Sequence, residues 1–157
     1  MLKFKGIVVH GRQVGRKMGF PTANLEHITI IENTFNFTNV HSNSRTSSIL
    51  PNGVFAAWIE ILNSTENKEN QSISPSTNLN PSIYKAMLNI GHRPTFDGEM
   101  DSVEIHIFDF NTDIYEKSIV VTCIARLRKE KKFNSISELQ IQLQKDKTSA
   151  LAFLEKF

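Results

Sequence analysis

The sequence predicts an all-β domain, folded as an antiparallel barrel or sandwich, with one helix at its C-terminal end. Short runs rich in β-branched and aromatic residues recur between Gly, Pro, Asn and Asp residues, which is typical of strands. No helical pattern of about a dozen residues separates these runs, and parallel strands need such crossovers, so antiparallel pairing is favoured. After Phe133 the apolar residues recur at three- or four-residue steps, as they do in a helix.

Five runs are predicted as strands, and a length of 157 residues suits a single domain. The predicted strands lie at residues 4–10, 54–62, 84–90, 103–110 and 119–127. Closing them into a barrel would leave no exposed sheet edge. We therefore expect one domain over residues 1–157, with its barrel at about residues 1–133.

The predicted helix covers about residues 135–157. Ser135 is a suitable N-cap, and Glu138 three residues later completes a capping box. The apolar stripe that should pack on the barrel consists of Ile136, Leu139, Leu143, Ala150, Leu154 and Phe157. Asp146 lies on or near this stripe, and a solvated or locally hydrogen-bonded carboxylate is favoured there over a functional one.

Two long segments, at residues 33–52 and 63–82, have almost no strand or helix pattern. They are rich in Asn and Ser, and the second contains only Ile73 and Leu79 as sizeable apolar residues. Such a composition buries too little apolar surface to offset the entropy of ordering. Both segments are predicted to be loops.

Composition excludes several classes of protein. No apolar run approaches the roughly 20 residues that span a bilayer, so we expect no membrane partner. A net charge of +2 is too small to indicate a nucleic-acid partner. The single cysteine, Cys123, cannot form an intrachain disulfide, and the N-terminus lacks the long apolar segment of a secretory signal. We therefore expect a reduced, cytoplasmic protein.

A glycine-rich segment follows the first predicted strand. Glycines at positions 6, 11, 15 and 19 would let backbone N–H groups approach a ligand, and Arg12, Arg16 and Lys17 add positive charge. The spacing fits neither the P-loop nor the G-x-G-x-x-G pattern. Taken alone, these glycines favour tight turns of a small β protein over a phosphate site.

Longer motifs give the segment a sharper interpretation. The run G-x-V-V-x-G-x-x-x-G-R-x-x-G-F-P-T-A-N, which begins at Gly6, resembles the signature of the riboflavin kinase (flavokinase) family. GVFAAW, NIGHRPTF, VEIHIFDFNTDIY and LRKEKKFNSISELQIQLQKD are similar to later blocks of that family and occur in its order, as far as Asp146. The resemblance implies a six-stranded antiparallel Greek-key barrel with a C-terminal helix. It also implies transfer of the ATP γ-phosphate to the terminal ribityl hydroxyl of riboflavin, giving FMN and ADP.

Metal and ATP positions are expected in the Pro-Thr-Ala-Asn block. Thr22 and Asn24 offer a hydroxyl and an amide oxygen two residues apart, on one side of an extended segment. Phosphoryl transfer from ATP needs a magnesium ion, a hard cation that accepts a few protein oxygens. The resemblance implies that Thr22 and Asn24 bind Mg²⁺ or another divalent cation, and that Gly11, Arg16 and Thr22 contact ATP. A simple turn is the competing interpretation.

Alternation along VEIHIFDF places Glu104, His106 and Phe108 on one face of a strand. A carboxylate in such a strand is usually exposed to solvent. The resemblance instead implies that Glu104 is catalytic, binding the terminal ribityl hydroxyl and acting as its general base. A neutral, hydrogen-bonded side chain is favoured for His106.

The end of the same block is implied to line the ATP side. Ile107, Asp109 and Tyr115 match family positions there, and the Tyr115 ring is suited to contact adenine. One residue departs from the family pattern, because Glu116 stands where the family usually has Gly. The local turn and the placement of Tyr115 depend on how the chain accommodates it.

Basic residues cluster in ARLRKEKKF, which in isolation suggests a solvated strand end or a nucleic-acid contact. The resemblance implies that Arg128, Lys131 and Phe133 belong to a flavin-binding loop. An aromatic ring there would stack on the isoalloxazine, with the bases near its polar edge or the product phosphate.

We expect small-molecule substrates and no nucleic acid as partners. A non-catalytic barrel that binds flavin or single-stranded nucleic acid is the competing class. The resemblance also leaves two arrangements open, a free-standing enzyme or a kinase module covalently linked to an FMN adenylyltransferase domain.

Overall fold

The computed structural model describes residues 1–11, 16, 18–34, 50–62, 82–95 and 98–157. Its strands and helix are β1 (Leu2–Val9), β2 (Ala23–Asn33), β3 (Gly53–Ile61), β4 (Ser82–Thr95), β5 (Gly98–Ile107), β6 (Ser118–Arg128) and α1 (Ile136–Leu154). The strands form a closed barrel in the order β1-β2-β5-β4-β3-β6, and each neighbouring pair is antiparallel. Because β3, β4 and β5 are successive neighbours and β6 returns beside β3, these four strands form a Greek key.

The predicted antiparallel barrel with a C-terminal helix is confirmed. All five predicted strands are present, as β1, β3, β4, β5 and β6. The alternation pattern missed β2, and its last residue, Asn33, was wrongly assigned to a loop. The β1–β2 register shifts between Lys5 and Ile7, and His27 in β2 has a left-handed backbone with φ 51°. Such a bulge interrupts the two-residue alternation by which a strand is recognised.

Two apolar clusters lie on opposite sides of the barrel wall. The barrel interior contains fully buried side chains from several strands, including Phe4, Phe55 and Ile105. The second cluster lies between the outer wall and α1, where Ala56 and Met87 pack with Leu154. Strand β3 is therefore buried on both faces over most of its length, which explains its nearly continuous apolar sequence.

Helix α1 begins at the predicted cap. The Ser135 hydroxyl accepts a hydrogen bond from the Glu138 N–H at 3.1 Å. The Glu138 carboxylate accepts one from the Asn134 N–H at 3.1 Å, one residue before the position that a capping box uses. The middle of the predicted stripe packs on the barrel, but Ile136 and Phe157 are 72% and 81% exposed. The prediction that the whole stripe packs on the barrel was therefore wrong at its two ends, where the barrel wall no longer covers the chain.

Within the described ranges, no helix combines the length and apolarity needed to cross a bilayer. The predicted loops at residues 33–52 and 63–82 lie largely outside the described residues.

Candidate functional site

A row of polar side chains crosses the barrel wall at Glu104 of β5. Glu104 is paired directly with Asn24 of β2 on one side and with Asn89 of β4 on the other. Directly paired residues direct their side chains to the same face, with Cβ atoms about 4.5–5.5 Å apart. The row continues from Asn89 through Val54 to Arg128. The register therefore brings the predicted base, Glu104, beside the predicted metal ligand, Asn24.

A cavity of about 380 Å³ lies between the barrel wall and α1, and we call it the helix-side cavity. Its polar wall consists of Thr22, Asn89, Glu104, His106, Arg128, Glu130, Lys131 and Asp146. Its apolar wall consists of Met18, Phe20, Val54, Met87, Leu88, Phe133, Leu139 and Leu143. The predicted catalytic residue and the three predicted flavin-binding residues thus share one cavity.

A buried ion pair ties α1 to β6 in the wall of this cavity. The Asp146 side chain is 4% exposed, and Arg128 Nη2 donates to its Oδ2 at 2.8 Å. Arg128 Nε lies 3.0 Å from both carboxylate oxygens, and the Gln142 side-chain amide donates to Oδ1 at 2.9 Å. Asp146 is therefore hydrogen-bonded but not solvated. One of its partners, Arg128, lies in the barrel, and the other, Gln142, lies on its own helix. Arg128 positions the helix in addition to lining the cavity.

Phe133 lies beside two cations at the same cavity. Its ring centre is 5.7 Å from the Arg128 guanidinium carbon and 5.5 Å from Lys131 Nζ. Both distances fall within the range of a cation–π interaction. The three residues thus form one cluster, with an aromatic face and positive charge next to each other.

His106 follows Glu104 on the same face of β5 and is buried. Its Nδ1 lies 2.7 Å from the Pro21 carbonyl oxygen. Because a carbonyl only accepts, Nδ1 carries the proton and donates. Burial lowers the pKa of His106, while the hydrogen bond to Pro21 acts in the opposite direction. The imidazole is therefore neutral at pH 7, as the sequence predicted, and its Nε2 is an acceptor.

A second cavity, of about 420 Å³, lies on the other side of Thr22, and we call it the turn-side cavity. Its wall consists of Arg16, Pro21, Thr22, Ala23, Ile105, Ile107, Phe110, Asn111, Thr112, Asp113, Ile114 and Tyr115. Four of the predicted ATP-side residues lie here, namely Arg16, Thr22, Ile107 and Tyr115. Thr22 lines both cavities and marks the point where they adjoin.

Tyr115 is held by its neighbours on the turn between β5 and β6. Its ring stacks on His10 with 3.5 Å between ring centres and 26° between planes, and its N–H donates to Asp113 Oδ1 at 2.9 Å. Glu116 adopts a left-handed backbone, with φ 63°, and its N–H donates to the Val8 carbonyl at 2.8 Å. The chain therefore keeps a glycine-type turn at the position where it lacks glycine, and the turn is strained.

The other predicted ATP positions lie apart from the turn-side cavity wall. Gly11 packs against Asn24, and a Cβ at that position would collide with the Asn24 amide. Asp109 is exposed, has φ 52°, and is not among the described wall residues of either cavity. Arg12 and Lys17 lie outside the described residues.

The donor set at Thr22 and Asn24 suits a magnesium ion. A hydroxyl and an amide oxygen are hard ligands, and Mg²⁺ in phosphate-transfer sites takes few protein ligands and keeps waters and phosphates. Among the described residues there is no cluster of three or more His, Cys, Asp or Glu that could hold a metal more tightly.

Sequence reasoning assigned no functional role to Asn89 or to Asp146, which both lie in the wall of the helix-side cavity. Asn89 lies in the NIGHRPTF block, but its place beside Glu104 depends on the β4–β5 register. Asp146 was noted on the apolar stripe, and a carboxylate in that position is itself a signal, because a buried charge needs a partner. The partner, Arg128, could not be identified without the barrel geometry.

Comparison with known proteins agrees with the fold. The Flavokinase family model, described as riboflavin kinase, matches residues 1–154. This is nearly the whole chain, which therefore belongs to the riboflavin kinase family.

Individual relatives match over most of this chain. The bifunctional riboflavin kinase/FMN adenylyltransferase of Bacillus subtilis is 34% identical over 152 residues, which are 95% of this chain and 37% of that protein. The RNA-binding riboflavin kinase RibR of the same organism is 30% identical over 90% of this chain and 46% of its own length. This chain thus spans less than half of these relatives.

A solved structure supports the fold. The riboflavin kinase of Trypanosoma brucei superposes with a TM-score of 0.56 at 23% identity, covering 99% of this chain and 82% of its own.

Proposed function

We propose that this chain is a riboflavin kinase domain that transfers the γ-phosphate of ATP to the terminal ribityl hydroxyl of riboflavin. Membership of the family supports the reaction. The observation that carries the site assignment is the position of Thr22, which lines both cavities, together with Glu104 and Asn24 side by side in the adjacent strands. A phosphate donor in one cavity and an acceptor in the other would meet at Thr22, close to Glu104 in the wall of the helix-side cavity.

Riboflavin occupies the helix-side cavity in this proposal. A volume of about 380 Å³ suits part of a flat three-ring ligand with a polar chain. Phe133 offers an aromatic ring for the isoalloxazine, and Lys131, whose Nζ lies over the Phe133 ring, brings positive charge next to it. The ribityl chain then runs along the polar row toward Glu104.

ATP occupies the turn-side cavity. Tyr115, with His10 behind it, provides an aromatic surface for adenine, and Arg16 provides positive charge for the phosphates. Thr22 and Asn24 would hold Mg²⁺, which when bound neutralises charge on the phosphates. The cytoplasmic location expected from the sequence stays a prediction.

The chemical role of Glu104 follows from its placement. Its carboxylate takes the proton from the terminal ribityl hydroxyl as that oxygen forms a bond to the γ-phosphorus. The bond from the γ-phosphorus to the β–γ bridging oxygen breaks, and ADP leaves. Asn24 and Asn89 are paired with Glu104 on the two neighbouring strands and flank it. Most of the rate enhancement then comes from positioning and charge.

Product analysis tests this proposal. The protein is incubated with riboflavin and ATP·Mg, and riboflavin, FMN and FAD are separated by chromatography. FMN as the sole product is expected. Riboflavin binding without FMN formation would favour a non-catalytic barrel, and FAD would show that the chain also adenylylates FMN.

Two statements about partners belong to the same proposal. The bifunctional relative supports a covalently linked FMN adenylyltransferase domain in the full-length protein. The absence of a nucleic-acid partner stays a prediction, and the RNA-binding relative gives a reason to test it. A filter-binding titration with single-stranded RNA over a salt series would detect such a partner through its salt dependence.

A further inference from the structure

His106 lines the cavity proposed for riboflavin, yet its hydrogen bond reaches the segment proposed for the phosphate donor. Nδ1 donates to the carbonyl oxygen of Pro21 at 2.7 Å, across 85 residues of sequence. That oxygen belongs to the planar peptide group that joins Pro21 to Thr22. When His106 holds this oxygen, it also fixes the orientation of the peptide plane, which includes the Thr22 nitrogen.

The imidazole ring is also held from the sides. Phe20 and Phe108 make edge contacts with it, at 5.2 Å and 62° and at 5.6 Å and 68° between rings. Phe20 directly precedes Pro21, so His106 contacts two consecutive residues of the same segment. A ring packed in this way cannot turn Nδ1 away from the carbonyl without repacking both aromatic neighbours.

Thr22 lies between two fixed points. On its N-terminal side is the carbonyl held by His106, and on its C-terminal side Ala23 begins the ladder to Ile105 of β5. The ring of Pro21 restricts its own φ as well. Thr22, which borders both cavities, is thus positioned by two successive residues of β5, Ile105 through the strand ladder and His106 through its side chain.

We infer that His106 is a positioning residue for Thr22, and that its loss weakens the binding of ATP·Mg although the side chain lies in the wall of the helix-side cavity. This inference rests on the proposed function. It predicts an effect on the substrate in the opposite cavity, which a residue that only contacts riboflavin would not have.

Two substitutions separate the two ring nitrogens. The amide nitrogen of Asn takes approximately the position of Nδ1, and that of Gln takes approximately the position of Nε2. His106→Asn therefore keeps a donor for the Pro21 carbonyl, whereas His106→Gln loses it. His106→Phe fills the ring volume without either nitrogen and serves as the packing control.

The affinities of the purified chain and the three variants for ATP·Mg and for riboflavin are measured separately by titration calorimetry, with thermal unfolding alongside. Loss of a residue that orients a metal ligand typically weakens binding by about 10- to 100-fold. We expect a loss of that size for ATP·Mg in His106→Gln and His106→Phe, and a change below about threefold in His106→Asn. Riboflavin affinity should stay within about threefold of wild type in His106→Asn and His106→Gln.

Three results would overturn the inference: equal losses in His106→Asn and His106→Gln, a loss for riboflavin alone, or unchanged ATP·Mg affinity in His106→Gln. Losses for both ligands that track a lower unfolding temperature would assign a purely structural role instead. Because these are binding measurements, they are independent of FMN formation. A wild-type chain that binds ATP·Mg but makes no FMN would contradict the proposed function, and the effect of the His106 variants on ATP·Mg binding could still be interpreted.

Discussion

The two cavities on either side of Thr22 are built differently. The helix-side cavity has its wall on β3, β4, β5 and β6, on the segment that follows β6, and on α1, and a buried ion pair holds the helix against the barrel. The turn-side cavity has much of its wall on residues 110–115, between Asp109 and Glu116, both with left-handed backbone. Substitutions at the ion pair of the first cavity should therefore change fold stability together with binding. Wall substitutions in the second, such as Thr22→Val, should change ligand binding with little effect on stability.

The largest expected effect concerns the ion pair of the helix-side cavity. Arg128→Ala leaves the Asp146 carboxylate, whose side chain is 4% exposed, without its ionic partner, and breaking a buried pair in this way costs about 3–5 kcal/mol. Urea unfolding should show a loss of that size for Arg128→Ala and a smaller one for Asp146→Ala, because the Arg128 side chain that remains is 20% exposed and water can solvate it.

The matched control is the double variant Arg128→Met/Asp146→Leu, in which both charges are replaced by apolar groups. It should recover most of the stability but bind riboflavin more weakly than wild type. Single variants as stable as wild type would mean that the pair does not hold α1, and the contrast between the cavities would disappear.

A smaller and more selective effect is expected at the junction of the cavities. Thr22→Val removes the hydroxyl but keeps the shape, and a hydrogen bond or ligand contact to a charged group is worth about 1.5–3 kcal/mol. ATP·Mg affinity should fall by about 10- to 100-fold, with riboflavin affinity and unfolding unchanged. Calorimetric titration with each ligand measures both. Unchanged ATP·Mg affinity would remove Thr22 from the proposed donor site.

Phe133 should affect only the flavin. Loss of an aromatic stacking partner is worth about 1 kcal/mol, so Phe133→Ala should weaken riboflavin binding about fivefold. Quenching of riboflavin fluorescence measures the affinity. Phe157→Ala is the matched control, because Phe157 is 81% exposed and lies in neither described cavity wall. Equal results for the two variants would argue against stacking at Phe133.

The smallest effect should come from the strained turn. A left-handed backbone costs a non-glycine residue about 1–2 kcal/mol, and a Gly at that position would remove this cost. Gly also has more conformational freedom in the unfolded chain, which offsets about 0.5–1 kcal/mol of that stabilisation. Glu116→Gly should therefore stabilise the chain by roughly 0.5–1 kcal/mol. Thermal unfolding measures the change, and Thr112→Gly on the same turn is the control, which should not raise the unfolding temperature. An equal rise in both variants would show that the φ of Glu116 is not the cause.

The strand and helix positions could largely be predicted from sequence, because alternation in the barrel and a three- to four-residue repeat in α1 are local patterns. Strand β2 could not, because the bulge at His27 breaks its alternation. The resemblance to a family implied the sixth strand, but only the structure shows where it lies.

The candidate site was predicted less completely. Residue types and motifs identified Glu104, Thr22 and Phe133 as candidates, and the structure brings all three to one cavity. The partners of these residues are set by register and packing over long sequence distances, as with Asn89 beside Glu104 and Arg128 against Asp146. No local pattern encodes such pairs.

Turnover of Glu104→Gln tests the central claim most directly. Gln keeps the shape and a hydrogen-bond acceptor but is a far weaker base, so ATP·Mg and riboflavin should still bind while FMN formation at saturating substrates falls about 100- to 10,000-fold, or about 3–5.5 kcal/mol of barrier. A loss below about tenfold at wild-type affinities would contradict a general-base role for Glu104 and, with it, the account of a reaction centred where the two cavities meet.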